Sequence, residues 1–209
     1  MTMQGDSRFW DRIAEKYAQR PVADEAAYQK KLVKTQEYLT VESDVLEFGC
    51  GTGTTALIHA PFARHILATD ISAEMLDIAK TKAAAQDAAN VEFEVSDIHS
   101  FEAAGRQFDM VMMHSLVHLL QDRAAVVAAA FDLLKPGGVF VSSTACLSGK
   151  TWMKPVIFMG RMIGRLPYVA FFSRDYLVDL LRSAGFEIEH EWLPEGGQSV
   201  FIIARKPEN

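Results

Sequence analysis

The run Val45-Leu46-Glu47-Phe48-Gly49-Cys50-Gly51-Thr52-Gly53-Thr54-Thr55 limits the architecture of this chain more than any other stretch. Apolar residues around Glu47 read as a short buried strand that glycine ends abruptly. Gly49, Gly51 and Gly53 alternate, so the backbone can turn at positive φ and lie bare against a ligand. Thr54 to Ala60 then opens a helix, whose unpaired N–H groups and positive dipole end face the same place. Strand, bare loop and helix N-terminus together make a cradle for a nucleotide-type cofactor. The dinucleotide pattern G-x-G-x-x-G needs glycine where the chain has Thr54, and no Gly-Lys-Ser/Thr follows to make a P-loop. Glu47, on an otherwise apolar strand, is costly to bury unless a cation or hydrogen-bond donor meets it. An amino-acid-bearing cofactor would bring an ammonium.

Leu67-Ala68-Thr69-Asp70-Ile71-Ser72 reads as a second strand ending in an acid, about 20 residues past the glycines, where dinucleotide-type sites hold a ribose diol. A carboxylate is acceptor-only, which suits Asp70 to two hydroxyls, and Ser72 already serves as the cap of the next helix. Val91 to Val95 alternates as a third strand, followed by Ser96-Asp97-Ile98, where an Asp is also a common turn residue. Phe108 to Met113 is a fourth strand. Leu133-Leu134-Lys135-Pro136-Gly137-Gly138 is a turn into a fifth strand that runs to Val141, with glycine ending the preceding helix and proline barring its continuation. Helices near Thr54, from Ser72 to Gln86 and from Arg123 to Leu134 serve as crossovers. This alternation predicts an α/β fold, doubly wound, with a mostly parallel sheet covered on both faces.

The remaining segments frame that core. Residues 1–43 are predicted as an N-terminal helical cap, with helices near Arg8 to Gln19 and Glu25 to Thr40. Residues 44–146 form the cofactor-binding core, 147–172 a lid insertion, and 173–209 a terminal helix and hairpin that complete the sheet. Ser173 caps Arg174 to Ala184, Gly185 ends it, and Pro194-Glu195-Gly196-Gly197 turns a hairpin between Phe186–Trp192 and Val200–Ala204. Phe9, Trp10 and Ile13 read as a face packed on the core. Between Leu133 and Arg174 there is no acid but six basic residues, Lys135, Lys150, Lys154, Arg161, Arg165 and Arg174. Trp152, Val156, Met159, Ile163 and Leu166 follow helical spacing, with Pro155 in a first turn and Pro167 as the stop. The segment can pack on the sheet or a second subunit, cover a pocket, or rest on a membrane surface; the first is the default expectation.

At 209 residues, 49% hydrophobic and 23% charged, the chain suits one soluble core with a small lid. A formal charge of −6 offers no general attraction for nucleic acid. No run is long enough to span a bilayer, and an N-terminus with Asp6, Arg8 and Asp11 lacks a secretory pattern. Cys50 and Cys146 make no disulfide framework, so a reducing, cytoplasmic setting is expected. His114 ends the fourth strand, where ligands of doubly wound sheets lie, and is the candidate general base; its alternative is a structural histidine. His118, four residues on, has no clustered partners that would make a metal site with it, and no metal is expected.

Glu47-x-Gly49-x-Gly51-x-Gly53, the later acids Asp70 and Asp97, and Leu134-Lys135-Pro136-Gly137-Gly138 resemble the motifs of class I S-adenosylmethionine-dependent methyltransferases, from about Asp44 to Val141. They are similar in particular to small-molecule enzymes of the quinone and lipid type. The resemblance implies a Rossmann-like fold with a seven-stranded sheet and a C-terminal antiparallel hairpin, and S-adenosylmethionine as cofactor, leaving as S-adenosylhomocysteine. It implies a binding set of Tyr17, Glu47, Gly49, Cys50, Gly51, Gly53, Asp70, Ile71, Met75, Asp97, Ile98 and His114. In that set Asp70 holds the ribose, Asp97 faces the adenine amino group, and Tyr17 closes over the methionine part. Met75 lies against the adenine or is plain core. The acceptor would be a small, partly apolar molecule methylated at O, N, C or S. No Asn-Pro-Pro-Tyr-type signature follows the fourth strand, which counts against amino-methylation of nucleic-acid bases or glutamine. A nicotinamide-dependent oxidoreductase and a noncatalytic S-adenosylmethionine-binding protein are the alternatives. No nucleic acid and no stable membrane insertion are expected; a homodimer and peripheral membrane contact through the basic segment stay open.

Overall fold

The computed structural model describes residues 4–208; residues 1–3 of the expected N-terminal cap and residue 209 of the terminal unit lie outside the described residues. Two helices, α1 (Gln4–Ala18) and α2 (Glu25–Gln36), precede the sheet. Then follow β1 (Asp44–Phe48), α3 (Thr54–His59), β2 (His65–Asp70), α4 (Ala73–Ala85), β3 (Val91–Val95), β4 (Phe108–His114), α5 (Arg123–Leu133) and β5 (Leu134–Ala145). The chain closes with α6 (Lys154–Met162), α7 (Arg174–Ser183), β6 (Glu187–Trp192) and β7 (Ser199–Arg205). The strand order is β3-β2-β1-β4-β5-β7-β6; β7 runs antiparallel to both its neighbours and the other pairings are parallel. The expected doubly wound sheet with a terminal hairpin is therefore present. The order reverses between β1 and β4, which opens a crevice at their carboxyl ends.

Apolar side chains cover both faces, as a parallel sheet requires. Leu46, Phe48, Val111 and Met113 pack against Val127 and Ala130 of α5 and Leu177 and Leu181 of α7. Val45, Ile66, Met110 and Met112 face the other way, against Ala56 of α3. This parity puts Glu47 on the α3 side. The expected turn before the fifth strand is a bulge: Phe108 pairs with Leu134 and Met110 with Val139, so Lys135-Pro136-Gly137-Gly138 loops out of the ladder.

Two helix ends and one packing differ from expectation. The second helix stops at Gln36 rather than Thr40, and Tyr38 and Leu39 continue as tight turns to Thr35 and Gln36. The lid helix stops before Pro167: Gly164 has φ 66°, and the N–H groups of Arg165 and Leu166 bond back to the Gly160 carbonyl, so glycine ends it first. Nor does that helix pack on the sheet, because none of its side chains is buried. Among the described residues no helix is long and apolar enough to cross a membrane.

Candidate functional site

The glycine loop leaves β1 with Gly49, Gly51 and Gly53 at φ 67°, 54° and 71°, a left-handed alternation that side chains resist. Gly51 and Gly53 serve different ends. A Cβ on Gly53 would stand 2.8 Å from Ala79 of α4 and from the Phe93 ring, so this position is about helix–strand packing. A Cβ on Gly51 would meet nothing nearer than the Tyr17 ring at 3.7 Å; the space in front of it is open to a ligand. Lys82, on α4, clamps the loop by donating to the Thr52 carbonyl and to the Thr52 and Thr54 hydroxyls at 2.9–3.1 Å.

Asp70, at the end of β2, accepts from the Gly51 N–H at 2.8 Å and, through its other oxygen, from the Ser72 N–H at 2.9 Å. The carboxylate thus fixes the loop while keeping lone pairs for further donors. Burial raises its pKa, against the pull of those backbone donors. Ser72 caps α4 as expected and donates its hydroxyl to Asp11 of α1 at 2.6 Å. That bond ties the N-terminal helix to the site.

These elements enclose a cavity of about 350 Å³. Of the expected site residues, Tyr17, Gly49, Gly51, Asp70, Ile71, Met75, Asp97, Ile98 and His114 line it. Met75 is also almost fully buried, so it serves core and cavity together. Asp97 keeps a turn role, accepting the His99 N–H at 2.9 Å, while facing the cavity. Glu47, Cys50 and Gly53 stand behind the wall. Cys50 packs on the α3-side core, and burial holds its thiol well above the usual range.

Glu47 is 1% exposed between Ala68 and Met112 on the adjoining strands, and its Oε2 has no hydrogen-bond partner. Burial first, and the charge of Asp70 second, push its pKa up to about 8. A carboxyl in that state lacks a cation to meet it.

His114 sits beside Ser143 at the end of β4, and Ser115 behind it takes φ 53° to donate its N–H to the Ser143 carbonyl at 2.7 Å. Such a left-handed serine is strained, and here it turns the chain over the crevice. Burial, with His59 and Lys31 nearby, pulls the His114 pKa down to about 3, so the ring is neutral at physiological pH. His118 lies in a short 3-10 turn, Val117–Leu119, outside the cavity wall; the helical pairing with His114 that the spacing suggested does not form.

Sequence reading missed part of the wall. Trp10, expected on the core, lines the cavity and stands edge-on to Tyr17 with centroids 6.2 Å apart. Leu116, Leu119, Leu120, Pro167 and Tyr168 add apolar lining, alongside Gln121 and Asp122. Only the proline-marked end of the lid carried a local signal for this.

Residues 45–138 match a family model described as a methyltransferase domain. These residues are a methyltransferase domain of the class I, S-adenosylmethionine-dependent kind. This chain is 28% identical over 188 residues to a ubiquinone biosynthesis O-methyltransferase of Thiobacillus denitrificans, covering 87% of this chain and 79% of that one. It is 30% identical over 151 residues to the enzyme of the same name from Ruegeria pomeroyi, covering 68% of this chain. That match spans 59% of the Ruegeria protein, about three fifths of its length. The fold superposes on the CcbJ methyltransferase of Streptomyces caelestis with a TM-score of 0.77, at 17% identity over 97% of this chain and 99% of that one. The matched domain and both relatives being methyltransferases sets the oxidoreductase alternative aside.

The cofactor of the class is S-adenosylmethionine, and the methyltransferase's own residues fit it. The buried, unpartnered oxygen of Glu47 suits an ammonium, the open face of Gly51 suits close backbone approach, and Asp70 keeps acceptor capacity for a diol.

Proposed function

We propose that this methyltransferase moves the S-adenosylmethionine methyl group to an O, N, C or S atom of a small, partly apolar acceptor. The observation that carries this reading is the mixed lining of one cavity. Gly49, Gly51 and Asp70 at the β1 and β2 ends share it with the apolar Leu116, Leu119, Leu120 and Tyr168, with Gln121 and Asp122 beside them. An oxygen acceptor is favoured, because the relatives bear the name O-methyltransferase.

The bound cofactor supplies an electrophilic methyl on a positive sulfur. Gly49 and Gly51 would present bare backbone to it, Asp70 would take the ribose hydroxyls, and Asp97 with Ile98 would take the adenine edge. From behind the loop, Glu47 would answer the positive charge of the amino group and regain its own charge. Bound there, the cofactor would give its methyl carbon to the acceptor atom, and the electron pair of the broken carbon–sulfur bond would remain on sulfur. Trp10, Tyr17 and Tyr168 screen this space from water, so alignment and desolvation provide most of the rate. With its pKa pulled down to about 3, the ring is too weak a base to keep the acceptor's proton, which passes to solvent, and His114 orients the attacking group as a neutral hydrogen-bonding partner. A cytoplasmic location belongs to this proposal.

The test is transfer of labelled methyl from S-adenosylmethionine into a cell extract, with Asp70→Ala as control. Asp70-dependent label in the organic phase supports the apolar acceptor. Label confined to the aqueous phase replaces it with a polar metabolite. Cofactor binding without any transfer favours the noncatalytic binder.

A further inference from the structure

The segment between β5 and α7 leaves an unusual surface bare. Trp152, Val156, Phe158, Met159, Met162 and Ile163 are between 61% and 73% exposed. Water-exposed apolar side chains so closely grouped mark a surface that meets something else. Lys150, Lys154, Arg161 and Arg165 are interleaved with them, and none of the four is in an ion pair among the described residues. The whole stretch from Leu133 to Arg174 holds no acid, in a chain of formal charge −6. The charge has been gathered here against the trend of the molecule.

We infer that α6 and the turn before it dock on an anionic lipid bilayer, with the cavity mouth held against the membrane. Charge decides between occupants. A second copy meeting this face through two-fold symmetry would set cations against cations, with no acid in the segment to answer them. Anionic headgroups supply that answer, while Trp152 and Phe158 enter the headgroup boundary as amphipathic surface helices do.

Position relates the patch to the site. Pro167 and Tyr168, just beyond it, line the cavity, and Arg161 stacks over the Tyr168 ring at 4.9 Å. On the other side Arg12 of α1 donates to the Gly164 carbonyl at 2.5 Å, which joins the patch to the helix carrying Trp10 and Tyr17. A bilayer against α6 therefore lies at the entrance, and an apolar molecule dissolved in it reaches the cavity without crossing water. Docking itself does not depend on the proposed methyl transfer and can be measured without it.

The experiment is co-sedimentation of the purified chain with phosphatidylcholine vesicles and with vesicles containing equal phosphatidylglycerol. Lys154→Gln/Arg165→Gln and Trp152→Ser/Phe158→Ser are the variants, because all four side chains are solvent-exposed and outside the cavity wall. Circular dichroism and S-adenosylhomocysteine binding check that each variant keeps its fold. The expected result is sedimentation with anionic vesicles only, lost at high salt, and weakened on the order of tenfold or more in each variant. Failure to sediment with anionic vesicles overturns the inference, as does equal binding to neutral ones or wild-type binding by both variants. A dimer seen by light scattering that Trp152→Ser/Phe158→Ser dissolves would overturn it in favour of a second copy.

Discussion

Glu47 and the three glycines carry opposite lessons about stability and binding. The Glu47 carboxyl has a folded-state pKa of about 8 against an ordinary value of 4.5. Its stabilising contribution is complete below the unfolded value and is lost as pH rises toward 8, because the unfolded chain releases the proton first. By neutral pH the loss reaches about 3 kcal/mol. Glu47→Gln should therefore melt higher than the wild type above about pH 5, with the gap widening toward the folded pKa of about 8, and should bind S-adenosylmethionine more weakly. Melting curves across that pH range check the first statement and calorimetry the second. The glycines separate in the same way. Gly53→Ala places a Cβ 2.8 Å from Ala79 at positive φ and should cost about 3 kcal/mol in urea unfolding. Gly51→Ala should cost about 1 kcal/mol, yet it blocks the open face of the loop and should abolish cofactor binding. Equal stability losses in the two variants would contradict these roles. From sequence the glycines form one motif, since spacing reports backbone freedom and not what stands in front of each residue.

Among the elements, α1 does more than cover the core. It brings Trp10 and Tyr17 to the cavity, ties Asp11 to the α4 cap, and reaches the lid through Arg12. Arg12→Ala should leave folding within about 1 kcal/mol, because an exposed bond contributes little. It should also raise hydrogen exchange in 150–168, which exchange mass spectrometry would detect; unchanged exchange would show that the lid holds itself. The core elements were legible because strand, loop and acid recur at spacings that the βαβ unit enforces. The wall residues Leu119 and Tyr168 were not, because segments about 50 residues apart meet only in the fold. The bare surface of α6 was equally hidden, since a helix packed on a sheet and one facing outward share the same periodicity.

Across the protein, the fully buried His59 and the half-buried His114 and His118 should shape the response to acid. His59, His114 and His118 have pKa values pulled down to about 4, 3 and 4, in each case chiefly by burial. A depressed histidine contributes stability above its unfolded value near 6.5, and that contribution is lost as pH falls toward the folded value. His59, fully buried with both ring nitrogens unpartnered, should alone cost about 2 kcal/mol by pH 5. The urea midpoint should fall steeply over that interval, and His59→Leu should flatten the fall. An acid limb unchanged by this substitution would show that His59 is not the group responsible.

The central claim is that the cavity between the glycine loop and the lid holds S-adenosylmethionine, and calorimetric titration of S-adenosylhomocysteine tests it most directly. The wild type should bind one equivalent. Asp70→Ala, which loses its contact to the loop and the proposed contact to the ribose, should bind about 10- to 100-fold more weakly. No binding by the folded wild type, or wild-type affinity in Asp70→Ala, would contradict the account.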